Sequence, residues 1–304
     1  MVKKNEIKKI GFIGIGLMGK PMANNLIDSS YSINIWNRTK DKANDLIDKG
    51  AKWFDSPQEL AKNSDVVITM VTNSKASKQV ACGENGILKG AHKGLILIDM
   101  SSIEPEMSRY IAKKAKEKNV SMLDAPVTGN PVVAKKGKLG IMIGGNEETF
   151  KKCKQIFNIL GEKLVYVGNE NGNGTTLKLI NNLILGVAIM ASAEALVLAN
   201  KAGIDPQKVI DITSVGGART GAMETRGPRM IKRDFSPHFS TNNMYKDLTS
   251  ALNLADSINV TLPTTSITRE MLKGPIANGE GDMDSAIIMT LLENMAKTFI
   301  EPRK

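Results

Sequence analysis

Lys9-Ile10-Gly11-Phe12-Ile13-Gly14-Ile15-Gly16-Leu17-Met18-Gly19 is the stretch that decides the fold. The residues from Lys9 to Ile13 are rich in β-branched and aromatic side chains, as a buried strand requires, and the helix-patterned segment Lys20 to Ile27 follows the glycines directly. Glycines spaced G-x-G-x-x-G between a strand and a helix each have a physical use. Gly14 permits the tight turn, Gly16 lets the backbone approach a pyrophosphate, and Gly19 lets helix and strand pack closely. The loop N–H groups, with Leu17 and Met18 at the variable positions, then face an anion at the positive end of the helix. The glycine pattern alone is weak. Placed between a strand and a helix, it predicts a dinucleotide site, against the alternative of a glycine turn with no ligand.

Enzymes that use NAD place a carboxylate about 20 residues further on, at the end of the second strand, where it accepts a bond from the ribose 2′-OH. This chain has Asn37-Arg38-Thr39 there. A guanidinium binds a 2′-phosphate through charge-assisted bonds, Asn and Thr add polar contacts, and no carboxylate repels the phosphate. NADP(H) is therefore favoured. NAD(H) remains possible if Arg38 only covers the sheet edge.

From Lys8 to about Tyr166 short apolar runs alternate with helix-patterned segments, the signature of βαβ units around a parallel sheet. The expected strands are Lys9–Ile13, Ser32–Trp36, Asp65–Val71, Leu95–Asp99, Ser121–Leu123, Leu139–Ile143 and Leu164–Val167, with amphipathic helices over Thr39–Lys49 and Pro105–Lys118 among those between them. After the turn-rich Gly168-Asn169-Glu170-Asn171-Gly172-Asn173-Gly174 strand signals nearly vanish. Thr175–Ala202 reads as one long helix, apolar around much of its circumference and so covered by neighbours. Asp205-Pro206 restarts a helix in cap-then-proline style, and further helices are expected over Thr241–Ile258, Pro263–Leu272 and Asp284–Ile300. The fold class is α/β: a doubly wound Rossmann sheet over residues 1–167 and an all-helical domain over residues 168–304, joined by the long helix.

The chain of 304 residues carries 41 Lys+Arg against 31 Asp+Glu, a formal charge of +10. That balance suits anionic ligands such as phosphates and carboxylates. The basic residues are spread along helix-like segments, as in Lys113, Lys114, Lys116 and Lys118, which reads as solvated helix faces rather than a nucleic-acid surface. Two cysteines, Cys82 and Cys153, form no C-x-x-C pair, and with two histidines the chain has too few ligands for a zinc site built from His and Cys, so no metal is expected. A reducing cytosol is the simplest location. Polar residues Asn181, Asn182, Ser192 and Glu194 interrupt the apolar run of the long helix, which favours a buried helix over a membrane span.

Further segments, taken in order with the glycine loop, carry a family resemblance: Asp99-Met100-Ser101-Ser102; Asp124-Ala125-Pro126-Val127-Thr128-Gly129; Gly172-Asn173-Gly174 leading to Lys178-Leu179-Ile180-Asn181-Asn182; and Lys246-Asp247-Leu248. The sequence resembles the β-hydroxyacid dehydrogenases, which include 3-hydroxyisobutyrate dehydrogenase, tartronate semialdehyde reductase and the glyoxylate/succinic semialdehyde reductases. The resemblance implies that Lys178 is the catalytic acid/base. Chemistry agrees: reducing an aldehyde needs a hydride on carbon and a proton on oxygen, and an ammonium on the carbonyl oxygen both polarises it and supplies the proton. Burial and nearby positive charge, for instance Lys246, would ease the reverse step. Asn181 and Asn182 lie three and four residues after Lys178 and share its helix face; the resemblance points chiefly to Asn182 as a residue that holds lysine or substrate. A satisfied buried amide is the alternative there.

The resemblance also assigns Thr128 and Gly129 to the substrate carboxylate, through a hydroxyl and backbone N–H groups. Here the chain departs from the family's Asp-Ala-Pro-Val-Ser-Gly-Gly: Thr128 replaces the serine and Asn130 the second glycine, so the pocket shape near Asn130 is expected to differ. Ser102 matches a position near the nicotinamide ribose and substrate, Val71-Thr72-Asn73 the loop beside the cofactor, and Lys246 a residue that reaches the cofactor, with Phe239 and Asp247 near the same cleft between the domains. Without the resemblance Lys246-Asp247 is an ordinary charged helical pair. Arg219, in Gly216-Gly217-Ala218-Arg219, is a further candidate for a carboxylate, against a surface or interdomain ion pair.

The expected activity is NADP-dependent interconversion of a short hydroxyacid and its semialdehyde. Glyoxylate, succinic semialdehyde or tartronate semialdehyde reduction is one alternative and imine reduction another; retention of Lys178 and the carboxylate loop argues against the second. A non-catalytic NADP-binding scaffold is the alternative of another class, and such a protein would have no use for Lys178 and both asparagines. A homodimer or homotetramer is expected, since the long helix has more apolar surface than one small domain covers.

Overall fold

The computed structural model describes residues 7–29 and 31–302. Its strands are β1 (Lys9–Ile13), β2 (Ser32–Trp36), β3 (Lys52–Trp53), β4 (Val66–Thr69), β5 (Ile96–Asp99), β6 (Ser121–Asp124), β7 (Val127–Thr128), β8 (Leu139–Gly145) and β9 (Gly161–Gly168). They form one sheet in the order β3-β2-β1-β4-β5-β6-β8-β7, with β9 also paired to β8. Between them run α1 (Gly19–Asp28), α2 (Asn44–Asp48), α3 (Pro57–Lys62), α4 (Ser74–Cys82), α5 (Pro105–Lys116), α6 (Pro131–Lys135) and α7 (Glu147–Leu160). The chain then continues as α8 (Asn173–Lys201), α9 (Pro206–Thr213), α10 (Gly221–Lys232), α11 (Thr241–Ser257), α12 (Pro263–Ala277) and α13 (Ile288–Ala296). It divides into two compact units between Lys178 and Leu179, inside α8, whereas sequence patterning places the boundary after residue 167.

β4 and β5 are buried at every position, which is why they read as unbroken apolar runs. Alternate residues serve opposite faces of the sheet. Val66, Ile68, Ile96 and Ile98 join Ile10, Phe12, Leu26 and Phe157 on one side, while Val67 and Leu97 join Ile13, Leu60 and Ile111 on the other. Each such side chain, fully buried, contributes roughly 1.5–3 kcal/mol. β1 lies between β2 and β4, so the chain winds away from it in both directions and its carboxyl end is the switch point of the sheet. The glycine loop begins there.

Several expectations need correction. The sheet is not wholly parallel, because β8 runs antiparallel to β6 and β7. A parallel return needs a crossover of a dozen or more residues, usually helical, and α6, at five residues, is too short to provide one. Thr39–Lys49 is not one helix: Lys40–Ala43 is a 3-10 turn and only Asn44–Asp48 is α-helical, with no side-chain cap at Thr39. Asp284–Ile300 likewise starts as a 3-10 turn, Ser285–Ile287, and ends where Lys297 turns left-handed at φ 48°.

In the second unit α8 is a core helix. Its most apolar window has a mean hydropathy of 2.0, enough by length and composition to cross a membrane, yet half of that window is buried inside the protein. Ile189, Met190, Ala193, Leu196 and Val197 pack with Met230, Met244, Leu248 and Met289. Asp284, fully buried, accepts the N–H groups of His238 (3.0 Å), Phe239 (2.9 Å) and Ala286 (3.2 Å), and Arg226 and Arg229 lie 3.6 and 3.5 Å from its oxygens. That cluster fixes the segment leading into α11.

Candidate active site

Each glycine of the loop has a distinct role. Gly14 stands at φ +102°, and a β-carbon there would strike the Met70 carbonyl, so only glycine fits. A β-carbon on Gly19 would run into the Gly14 carbonyl and approach Phe12 at 3.1 Å, so Gly19 lets α1 close on β1. At Gly16 a β-carbon would meet nothing within 4 Å. The fold therefore does not need glycine at 16, whereas a ligand brought against that backbone does. No side chain caps α1 and its first turn carries no acidic residue, so its N-terminal end suits a phosphate. A dinucleotide fits this loop.

Asn37 braces the loop from the second strand: its Oδ1 accepts the Ile15 N–H at 3.0 Å and its Nδ2 donates to the Thr39 carbonyl at 2.7 Å. Asn37 thus supports the glycine loop itself, while Arg38 and Thr39 are exposed beside it. Across the switch point the Val71 N–H donates to Ser101 Oγ at 2.9 Å, and Asn73 caps α4 by accepting the Ala76 N–H at 2.9 Å. Ser101, fully buried, is in turn held by Asp99, whose carboxylate accepts the Ser101 N–H at 3.0 Å and the Ser77 hydroxyl. Burial pushes the Asp99 carboxyl up from the usual carboxylate range, and the Ser101 and Ser77 bonds oppose that shift. Ser102, half-buried, follows immediately. Sequence reasoning missed Asp99 and Ser101 as the braces of the cofactor side.

The next strand repeats the device. Asp124, fully buried at the end of β6, accepts the Gly172 N–H at 2.8 Å and the Thr175 N–H at 2.9 Å, with Asn171 Nδ2 at 3.5 Å. Burial raises this carboxyl too, while the Thr175 and Gly172 bonds draw it down. Thr175 and Thr176 hydroxyls both donate to the Gly172 carbonyl, at 2.9 and 2.8 Å, closing the first turn of α8. Lys178 follows on that helix and is only 7 % exposed, an unusual burial for a lysine.

Thr128 pairs with Gly140 of β8, and a β-carbon on Gly140 would lie 2.7 Å from the Thr128 methyl. The methyl that distinguishes Thr128 from serine is thus accommodated by a glycine. Gly129 is exposed at φ +134°, where a side chain is strained. Asn130 sits at φ −109°, needs no glycine, and caps α6 by accepting the Val133 N–H at 3.0 Å. The expected change of shape at 130 is therefore largely absorbed by a helix cap.

In the second unit Asn182 is buried and donates through Nδ2 to Asp247 Oδ2 at 2.6 Å, while its Oδ1 accepts Asn181 Nδ2 at 3.0 Å. Asp247 is also buried, with Lys246 Nζ 3.3 Å from its other oxygen. Asn182, Asp247 and Lys246 form one polar group linking α8 to α11. Phe239 is half-buried against the same core, its N–H held by Asp284. Arg219 is exposed and paired with Glu224 at 2.5 Å, the surface ion pair rather than a carboxylate-binding position.

Comparison with known proteins agrees with this architecture. Residues 9–168 match the family described as the NAD binding domain of 6-phosphogluconate dehydrogenase, and residues 172–292 that described as NAD-binding of NADP-dependent 3-hydroxyisobutyrate dehydrogenase. The 2-hydroxy-3-oxopropionate reductase of Escherichia coli is 37 % identical over 95 % of this chain and 98 % of its own length. The 2-(hydroxymethyl)glutarate dehydrogenase of Eubacterium barkeri is 34 % identical over 94 % and 95 %. The crystal structure of Mycobacterium tuberculosis 3-hydroxyisobutyrate dehydrogenase with L-serine superposes with a TM-score of 0.86 at 29 % identity, covering 94 % of this chain and 99 % of that one. The chain belongs to the β-hydroxyacid dehydrogenase family. It is an NAD(P)-dependent oxidoreductase acting on CH–OH donors.

Proposed function

We propose that the protein interconverts a short hydroxyacid and its semialdehyde with NADP(H), using Lys178 as general acid/base. The observation that carries this reading is the burial of Lys178 on a helix whose start is bonded to Asp124, the first residue of the Asp124–Gly129 loop. A buried ammonium must be paired or hydrogen-bonded, and such groups cluster at functional sites, which supports a role for Lys178 in the chemistry. A bound nicotinamide supplies or takes the hydride. The Thr128 hydroxyl and the Gly129 N–H hold the substrate carboxylate, and Lys178 Nζ donates its proton to the aldehyde oxygen as the carbon is reduced; the reverse reaction returns the proton to the neutral amine. The family resemblance assigns Asn182, bonded to Asp247, and Phe239 to the substrate as well. Ser102, Val71, Thr72 and Asn73 would hold the cofactor beside the glycine loop, and the family resemblance assigns Lys246 to the cofactor as well.

Arg38 and Thr39, exposed beside the glycine loop, support a 2′-phosphate and hence NADPH over NADH. Two unpaired cysteines support a reducing, cytoplasmic setting. Ile184, Leu198 and Ile267, 62, 71 and 62 % exposed on the helical unit, support a homodimer or homotetramer. Absorbance of NADPH is followed with glyoxylate, succinic semialdehyde, tartronate semialdehyde and methylmalonate semialdehyde. Oxidation of NADPH with at least one of them is expected, and none with all four contradicts the substrate class. Arg38→Asp is expected to weaken NADPH relative to NADH by about 10-fold or more, the scale of one charge-assisted contact. An unaltered preference would show that the phosphate is read elsewhere.

A further inference from the structure

Asp99 and Asp124 close adjacent parallel strands and are partners in register, so two buried carboxylates stand side by side at the carboxyl edge of the sheet. Each is bonded to a different loop. Asp99 takes the Ser101 N–H and the Ser77 hydroxyl, and Ser101 in turn holds the Val71 N–H, on the cofactor side. Asp124 takes Gly172 and Thr175, on the side of the lysine helix.

We propose that Asp124 is the positioning residue for Lys178, setting where the lysine stands relative to the loop Thr128-Gly129; this rests on the reading of Lys178 as the acid/base. Thr175 is less than one helical turn before Lys178, so the helix start fixes the point from which the lysine chain leaves the backbone. The same carboxyl is joined through the chain to the carboxylate-binding loop, so one group sets both ends of a short substrate. Glycines make the approach possible on both sides. A β-carbon on Gly174 would lie 2.7 Å from the Asp124 carbonyl oxygen and 2.9 Å from Oδ2, and one on Gly144 would lie 2.8 Å from Oδ1. The two oxygens accept from two separate N–H groups, which an amide of the same shape cannot do: in Asp124→Asn one N–H would face an NH2.

The test compares Asp124→Asn, Asp99→Asn and Lys178→Ala in the full chain. For each, NADPH affinity is measured by fluorescence titration, kcat per NADPH-binding site at saturating cofactor, and the isotope effect with 4-deuterated NADPH. Asp124→Asn is expected to lower kcat per site about 10- to 100-fold, the scale of a misplaced reacting group. Its NADPH Kd stays within about twofold and its isotope effect rises as hydride transfer becomes limiting. Asp99→Asn shows the opposite split: NADPH binds about 5- to 10-fold more weakly and kcat stays within about threefold. A merely structural Asp124 would reduce the number of binding sites and leave the rate per site and the isotope effect unchanged, which overturns the proposal. If Asp124→Asn does not fold, Thr175→Pro removes the donor N–H in the first helical turn, where proline is tolerated, and Thr175→Val keeps it. Equal kcat in that pair overturns the proposal as well. Full kcat in Lys178→Ala removes its premise, whereas loss in Lys178→Ala with none in Asp124→Asn removes the positioning role alone.

Discussion

At the scale of single residues, Gly16 and Gly19 separate ligand binding from folding within one motif. A methyl on Gly19 has no room between α1 and the Gly14 carbonyl, so Gly19→Ala is expected to cost about 1–3 kcal/mol of stability, as overpacking does. A methyl on Gly16 meets nothing, so Gly16→Ala is expected to melt within about 2 °C of the parent, while NADPH binds about 10-fold or more weakly. Thermal melts and cofactor titrations of the two variants check this, and equal cofactor affinity in Gly16→Ala and the parent would place the pyrophosphate elsewhere. The glycines were legible in the sequence because their spacing is set by backbone geometry. Asp99 and Asp124 stand in the segments that carry the family resemblance, but their bracing role was not legible. A single buried acid has no periodic signal, and the partners of Asp124 are backbone N–H groups 48 and 51 residues away.

At the scale of elements, the strands read with the sharpest bounds were those buried on both faces, while half-exposed β9 was read only over its apolar Leu164–Val167 portion. β1 and β2 have the bounds their apolar runs predict, and β4 and β5 lie within theirs. β3 and β7, two residues each, are too short to show a period, and β7 exists only because β8 returns beside it. α10 was hidden because its sequence holds Gly221, Gly227 and Pro228, poor helix formers that tertiary packing overrides; Thr220 caps it. α6 carries a prediction about the departure at Asn130. Because the Asn130 side chain caps that helix, Asn130→Gly, which restores the family's residue, is expected to cost only a few tenths of a kcal/mol. The substrate KM is expected to change less than about threefold, by the same reasoning that a surface cap contributes little to ground-state binding. A tenfold change in KM would mean that Asn130 faces substrate.

At the scale of the whole molecule, both cysteines lie in the first unit, and burial pushes their thiols up, Cys153 to about 12. The thiolate is the reactive form, so at pH 8 Cys153 is expected to resist alkylation until the chain unfolds, while half-buried Cys82 reacts slowly. Intact mass after iodoacetamide should show at most one adduct in the native protein and two in denaturant; two native adducts would mean that the sheet opens at α7. The acids of the sheet edge act in the other direction from ordinary paired carboxylates. Their folded pKa values are raised, so the unfolded chain releases these protons first, and their contribution to stability falls as pH rises upward from 3.8.

The proposed reaction turns on Lys178 as the group that moves the proton. Its most direct test is Lys178→Ala, measured for NADPH affinity and for kcat with whichever semialdehyde of the panel is turned over. The expected result is an NADPH Kd within about threefold of the parent and a kcat lowered by about 100-fold or more, the scale of general acid catalysis. A kcat equal to that of the parent would contradict it.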